Sequence, residues 1–162
     1  MKVWIMKNRI LVTILIFIVI LCIAIYLVYN YRVNIAKSQE INNEYKSYYN
    51  EQILGTDLAS VINKTIDINK KNNIQKDDKG YFIENDTNSI KVFIELIYQD
   101  DYKTIDAEQI FNNGIENFVR VYSTANFKCT KISYHKKTGN IETITFTEVD
   151  ETMETQEKNK IL

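Results

Sequence analysis

The sequence predicts an α+β protein: an N-terminal transmembrane helix and a stalk helix, followed by a small antiparallel sheet of about four strands packed with helices. Three observations carry this prediction. Residues 10–29 form an uncharged apolar run. Residues 41–68 and 106–122 repeat apolar side chains at helical spacing, whereas residues 90–98 and the two arms of a hairpin at 127–149 alternate as strands do.

These patterns divide the chain into five parts. In chain order they are a cytoplasmic N-terminus at residues 1–9, a transmembrane helix at 10–29, a stalk helix at 30–54, an extracytoplasmic α+β domain at 55–149, and a disordered tail at 150–162.

The apolar run predicts a membrane anchor. Fifteen of its twenty residues are Leu, Ile, Val or Phe, and a helix of this length spans about 30 Å, the thickness of the hydrocarbon core. At roughly −0.3 to −0.6 kcal/mol for each of these side chains, insertion gains on the order of 5 to 9 kcal/mol. Tyr26 and Tyr29 stand at the far end, where aromatic rings favour the headgroup region.

The charges beside the apolar run predict its orientation. Lys2, Lys7 and Arg9 precede it with no acid, whereas Arg32 and Lys37 follow it together with acidic residues. The positive-inside rule then predicts a single-pass protein of the cell membrane with a cytoplasmic N-terminus and an extracellular C-terminal domain.

Three cleaved precursors are alternatives to a retained anchor, and the sequence disfavours each. A secretory signal has a shorter apolar region and a small-residue exit, but this run ends in Ile25-Tyr-Leu-Val-Tyr-Asn30. A lipoprotein signal needs a small residue where Leu21 precedes Cys22. A prepilin needs a glycine before its helix and usually a glutamate five residues into it, and neither is present.

The stalk and the second helix follow the anchor. Ile41, Tyr45, Tyr48, Tyr49 and Ile53 line one helical face, and we expect them to pack on the core of the domain. Gly55 ends this helix. Thr56 or Asp57 caps a second one, whose apolar stripe is formed by Leu58, Val61, Ile62 and Ile66.

The next elements are predicted from strand and turn signals. Residues 81–84 form a short strand, residues 85–89 a turn, and residues 90–98 a strand whose one face holds Ile90, Val92, Ile94, Leu96 and Tyr98. A single helix begins at Asp106, which resembles the start of a capping box with Gln109, and it runs through Tyr122.

A hairpin ends the domain. Its arms are residues 127–135 and 141–149, and its turn is residues 136–140, where Gly139 supplies a positive φ. We expect Ile144 and Phe146 to face the helix, and we expect His135 to be an exposed residue at the end of its strand.

The titratable residues predict neither a catalytic nor a metal site. His135 is the single histidine, and a strand that separates it from Cys129 by six residues puts the two side chains about 20 Å apart. The pairs Asp77-Asp78 and Asp100-Asp101 lack the spacing of a calcium loop and are predicted to be solvated turns. We therefore predict no enzyme, no cofactor, and no catalytic, cofactor-binding or metal-binding residue.

Charge and cysteine content restrict the partners. Residues 30–162 carry 17 basic and 21 acidic side chains, which predicts no nucleic-acid binding, because that needs a basic face. Cys129 is the single cysteine of the domain. It is predicted to be buried, with a disulfide between two chains as the alternative.

One segment carries a family resemblance. Residues 55–67, GTDLASVINKTID, follow a tyrosine-rich helix and resemble a segment of small, uncharacterised single-pass membrane proteins of low-GC Gram-positive bacteria. This resemblance implies a membrane location and no mechanism. The layout of a long apolar helix that leads into a small sheet is also similar to pilin-like proteins.

Two functions from different classes fit these features. The first is a non-enzymatic component of an envelope, surface or secretion assembly, whose partners are the lipid bilayer at residues 10–29 and other membrane or envelope proteins. The alternative is a ligand-binding or sensing ectodomain. The alternative predicts a pocket between the sheet and the helix at residues 106–122.

Overall fold

The structure is a computed structural model that describes residues 2–98 and 101–149. The predicted tail at 150–162 and Asp100 lie outside the described residues. The chain divides into two compact units, Met1–Glu40 and Ile41–Leu162. The fold is α+β, with a long apolar helix at the N-terminus and a mixed five-stranded sheet packed with helices.

Helix α1 (Lys2–Ser47) contains the predicted anchor. Within the described part of the chain it is the one helix long and apolar enough to cross a membrane, and its most apolar 18 residues have a mean hydropathy of 3.3. The large apolar side chains of residues 10–29 are 50–68% exposed. A continuous apolar surface of this length is unfavourable in water, so the helix is consistent with a single-pass membrane anchor.

Five strands form one sheet in the order β1-β4-β5-β2-β3. Their bounds are β1 Gln52–Leu54, β2 Lys91–Tyr98, β3 Asp101–Asp106, β4 Asn126–Tyr134 and β5 Ile141–Glu148. The predicted sheet of about four antiparallel strands is therefore only roughly right. Strands β2 and β5 pair in parallel, while the other neighbouring pairs are antiparallel.

The strand count differs from the prediction at three places. Residues 81–84 are not a strand, and Phe82 forms only an isolated bridge with Lys76. Strand β3 takes their place beside β2, which it joins as a hairpin in a continuous register from Tyr98 with Asp101 to Phe93 with Asp106. Strand β1 is the third difference, because the sequence pattern placed it inside the stalk helix.

The stalk helix ends at Ser47 and not at residue 54. Asn50 takes a positive φ of 63°, and the Asn50 amide donates to the Cys129 carbonyl at 3.0 Å. The chain thereby turns into β1, which pairs with β4.

Helix α2 (Gly55–Lys71) matches the second predicted helix, except at its start. Neither Thr56 nor Asp57 caps it; Leu54 is the N-cap residue and makes no side-chain cap bond. Gly55 is needed here for close approach, because a Cβ atom at this position would lie 1.8 Å from the Tyr122 carbonyl oxygen.

The predicted helix from Asp106 to Tyr122 is two helices, α3 (Ala107–Asn112) and α4 (Ile115–Tyr122). Gly114 separates them with a φ of 94°, a conformation that an α-helix cannot contain. Asp106 caps α3 by accepting from the Glu108 amide at 2.8 Å, so the predicted start of this segment is correct.

The helices and the C-terminal end of α1 cover one face of the sheet. Strand residues Val92, Ile94, Phe127, Ile144 and Phe146 are 0–2% exposed and pack with Leu58, Ile62, Phe118 and Tyr45 from the helices. The alternation predicted for residues 90–98 is confirmed as far as Leu96, whereas Tyr98 is 62% exposed. The burial predicted for Ile144 and Phe146 is confirmed.

Candidate functional site

The uncovered side of the sheet is the first candidate surface, and we call it the open face. Its side chains are half-buried or exposed, and none belongs to the core among the described residues. They include Lys91, Phe93, Glu95 and Ile97 on β2, Tyr102 and Thr104 on β3, Lys128, Thr130, Lys131 and Ser133 on β4, and Thr143, Thr145 and Thr147 on β5.

Side-chain hydroxyl groups form hydrogen bonds between neighbouring strands on the open face. The Thr147 hydroxyl donates to Glu95 Oε2 at 2.6 Å, and Thr130 and Thr147 share a hydrogen bond at 3.0 Å. Ser133 and Thr143 face each other across β4 and β5 and are also hydrogen-bonded. β-branched side chains in opposed pairs suit a half-exposed sheet surface, so this face is stable without a covering helix.

Strand β3 is the longer edge of the sheet. Its residues Asp101–Thr104 are exposed, and the Tyr102 ring is 53% exposed. The Tyr102 amide donates to the Asp101 carboxylate at 2.7 Å. This amide therefore points away from β2, and alternation along the strand turns the amide of Thr104 the same way.

The two edges of the sheet differ in what they offer to another chain. Strand β1 has three residues, whereas β3 has six and pairs with β2 without a bulge. Short edges and bulges discourage pairing with a further strand, while a regular edge allows it. Among the described strands, β3 is the edge best suited to accept a strand from a partner.

His135 is not the exposed residue that the sequence predicted. Its side chain is 1% exposed, and its Nε2 lies 2.7 Å from the Ser89 carbonyl oxygen. Since a carbonyl only accepts, Nε2 carries the proton. His135 is buried because the turn at residues 136–140 folds against the loop at residues 85–89 and closes over the ring.

A network of hydrogen bonds builds this corner of the domain, which we call the His135 corner. The Thr138 hydroxyl and the Asn140 side chain both donate to the Thr87 carbonyl, at 2.6 and 3.0 Å. Asn42 joins from the end of α1: its Nδ2 donates to the Gly139 carbonyl, and its Oδ1 accepts from the Ile141 amide, each at 2.9 Å.

The predicted turns are confirmed in this region. Gly139 has a φ of 70° in the turn of the β4–β5 hairpin. In the loop at 85–89, the Asn85 carboxamide oxygen accepts from the amides of Thr87, Asn88 and Ser89. Lys137 and Asp86 form an exposed ion pair between the turn and the loop, and this lysine lowers the pKa of Asp86.

Cys129 is fully buried in β4, as predicted. Burial raises the pKa of its thiol to about 11. A thiol reacts as the thiolate, so Cys129 is unreactive while the domain is folded. The folded domain thus offers no access for a disulfide between two chains at this position.

Glu108 is a buried carboxyl that sequence patterns did not single out. It is 5% exposed, and both of its oxygens lie 3.0 Å from the Phe82 amide, which donates to it. Burial raises the pKa of Glu108 and outweighs the lowering effect of that amide. Glu108 thereby connects the segment at residues 74–84 to α3 through the Phe82 amide.

Two acidic pairs were predicted to be solvated turns, and this is correct for Asp77-Asp78, whereas Asp101 is exposed but belongs to strand β3, where it pairs with Tyr98. Asp77 accepts from the amides of Lys79 and Tyr81 in the turn at Gly80. Asp101 is exposed at the start of β3 and accepts from the Tyr102 amide.

The space between the sheet and α4, where a sensing domain was predicted to hold its pocket, is filled by an aromatic stack. Phe118 and Tyr122 stack with ring centroids 5.1 Å apart, and Phe127 from β4 packs against both. A groove of about 500 Å³ lies instead on the outer side of the helices, between α2 and α4, with Ala59, Ile115 and Val119 in its lining.

The chain matches no protein-family model, no curated protein and no solved structure. The features of the chain that bear on its function are the anchor, the open face, the β3 edge and the His135 corner.

Proposed function

We propose that this protein is a membrane-anchored, non-enzymatic component of an envelope, surface or secretion assembly. The exposed apolar helix of residues 10–29 is the observation that carries the proposal. Lys2, Lys7 and Arg9 precede it, which favours a cytoplasmic N-terminus in the cell membrane and an extracellular C-terminal domain. A location of this kind agrees with the resemblance to small single-pass proteins of low-GC Gram-positive bacteria.

The partner in this proposal is another membrane or envelope protein that adds a strand to β3. The exposed Tyr102 ring supplies an aromatic contact, and the edge of β3 supplies main-chain contacts to an added strand, for which the Tyr102 amide exchanges the Asp101 carboxylate for a partner carbonyl. Ile97 extends the contact surface onto the open face beside Tyr102. The stack of Phe118, Tyr122 and Phe127 favours this function over the alternative of a sensing ectodomain, because it leaves no room beneath the helix for a ligand.

Crosslinking in cells tests the proposal. A photoreactive amino acid replaces Tyr102 in the full-length tagged chain, and the membranes are irradiated, gently solubilised and analysed by mass spectrometry. Val121 on α4 is the matched control, since it is 66% exposed and lies outside the sheet. We expect a defined envelope or secretion protein at position 102 and not at position 121.

Two outcomes overturn the proposal. A chain that is recovered without any crosslinked partner from both positions argues against an assembly component. A chain that leaves the membrane on alkaline extraction argues against the anchor itself, whatever the crosslinking result.

A further inference from the structure

The backbone of β3 restricts the registers in which a further strand can pair with it. The amides of Tyr102 and Thr104 point away from β2, and the residues between and beside them bond to β2 instead. An added antiparallel strand therefore forms its hydrogen-bonded pairs with the outward residues. A second copy of this chain presents the same outward residues, so a symmetric pair of β3 strands is centred on Tyr102, on Lys103 or on Thr104.

The charges of β3 favour the register centred on Tyr102. In this register Asp101 of each copy lies opposite Lys103 of the other, at non-hydrogen-bonded positions where opposed side chains are closest. Two ion pairs then form across the interface. The register centred on Lys103 places this lysine opposite its own copy, which is unfavourable. In the register centred on Thr104, Lys103 lies opposite Ile105, and neither strand supplies an opposite charge.

Pairing in the favoured register also frees the carboxylate that it needs. The Asp101 carboxylate accepts from the Tyr102 amide at 2.7 Å in the single chain. When that amide donates to the Tyr102 carbonyl of a second copy, the carboxylate is released to face Lys103 of that copy. The β2 residues that pair with Asp101 and Lys103 within the chain, Tyr98 and Leu96, are uncharged, so neither supplies a competing charge.

The open face adds an aromatic contact at the centre of this register. The Tyr102 ring is 53% exposed, and Ile97 lies opposite it on β2. Because Tyr102 stands at the two-fold axis, its ring meets the ring of its own copy, with Ile97 of each chain beside the pair. Opposed aromatic side chains on neighbouring strands stabilise a sheet. The edge of β3 is thus complementary to itself in backbone, charge and aromatic contacts.

We propose that two copies of this chain join through antiparallel pairing of their β3 strands, in the register centred on Tyr102. This pairing rests on the proposed function, because both use strand addition at the β3 edge, and it makes a second copy of the chain the membrane protein that supplies the strand. The two five-stranded sheets become one continuous sheet. The contact is short, and the proposed anchors strengthen it, since two chains held in one bilayer meet at a raised effective concentration.

Disulfide formation by the full-length chain in membranes tests the register. In a Cys22→Ala background the remaining natural cysteine, Cys129, is buried, so an added cysteine is the accessible thiol. In the Tyr102→Cys variant the two α-carbons at this position lie about 5.5 Å apart, within the range of a disulfide. In Thr104→Cys, the matched control on the same face, they are roughly 14 Å apart along the strands. We expect a disulfide-linked dimer from Tyr102→Cys and not from Thr104→Cys after mild oxidation.

Reversing the charges tests what selects the register. In the chain with Tyr102→Cys, the further change Asp101→Lys replaces both ion pairs by opposed lysines, and we expect the dimer yield at a fixed early time to fall about tenfold. Adding Lys103→Asp restores opposite charges in the reversed order, and the yield should recover. Glu116→Lys, at an exposed position of α4, is the control that should leave the yield unchanged.

The results that overturn this pairing are distinct from those that overturn the proposed function. A dimer that forms as readily from Thr104→Cys, or a charge-swapped chain that does not recover, contradicts the register and with it the proposal. No disulfide at position 102, together with photocrosslinking of a different protein there, overturns the pairing of two copies and leaves the proposed function intact. No disulfide and no photocrosslinked chain at position 102 contradicts both.

Discussion

Residues 10–29 and the core of the second unit are both built from Ile, Val, Leu and Phe, yet Phe17 is 68% exposed while Phe146 is fully buried. The difference follows from patterning. Residues 10–29 have no polar face, so no orientation of that helix hides its surface from solvent. In β2 and β5, buried apolar residues alternate with half-buried ones, of which all are polar in β5 and half are polar in β2, so one face is buried against helices while the other stays half-exposed. Similar residue types thus serve a lipid environment or a protein core according to their spacing.

The largest expected effect comes from charging the anchor. In the double variant Ile16→Arg/Ile20→Arg, two apolar side chains at the centre of the run become cations, at a cost of roughly 6 to 8 kcal/mol of insertion free energy. This is as large as the whole gain expected from the segment. We expect the protein to leave the membrane fraction on alkaline extraction. The matched variant Ile16→Leu/Ile20→Leu should remain, and retention of the arginine variant would contradict the anchor.

The next largest effect is on the free energy of unfolding, and it is tested by replacing one phenylalanine in each region. Phe146→Ala removes a fully buried ring and should lower the free energy of unfolding of the domain by about 3 to 5 kcal/mol. Phe17→Ala should leave that free energy unchanged, because its ring takes no part in the core. Urea denaturation in micelles, followed by tyrosine fluorescence, measures both. Equal losses in the two variants would show that patterning does not separate the regions.

A smaller loss of stability is expected from removing a hydrogen bond between buried polar groups in the core. The Tyr45 ring is 1% exposed, and its hydroxyl donates at 2.7 Å to Thr65, whose own hydroxyl donates to the Val61 carbonyl. Tyr45→Phe should cost about 1 kcal/mol of stability in the same denaturation experiment. Tyr49→Phe, at a ring that is 50% exposed, is the control with no expected cost. A neutral Tyr45→Phe variant would mean that this hydrogen bond contributes nothing to the core.

The smallest effect is a pH dependence at Glu108. Because burial raises the pKa of its carboxyl in the folded state, the protonated form contributes stability that is complete below the unfolded pKa and is lost as pH rises through the folded pKa. Glu108→Gln has no such loss. The stability of this variant relative to the parent chain should therefore increase from pH 4 to pH 7, as measured by urea denaturation at each pH. A constant difference, or a decrease, would contradict the assigned direction.

Local patterns were sufficient where the chain buries one side of a regular element. The apolar run, α2, strands β2, β4 and β5 and the turn at Gly139 were all predicted from spacing, because periodicity records which face is buried. The burial of Phe146 follows from the same alternation, whereas the burial of Cys129 was predicted from the tendency of free cysteines to be buried.

Strand β3 was not predicted from the spacing of apolar residues. Residues Asp101–Asp106 contain two apolar side chains, Tyr102 and Ile105, which are too few for an alternation. The available signal was the short distance along the chain between the end of β2 at Tyr98 and Asp101, which is typical of a tight hairpin. Strand β1 has only three residues and offered no signal of its own.

The sequence by itself determined the apolar helix, the α+β class, most element positions and the alternation that buries one face of the sheet. The tertiary structure decided the parallel pairing of β2 with β5, the end of α1 at Ser47, the break at Gly114 and the burial of His135 and Glu108. The physical reason is distance along the chain. Periodicity reports contacts within one element, whereas His135 is buried by a loop 46 residues away and Glu108 binds an amide 26 residues away.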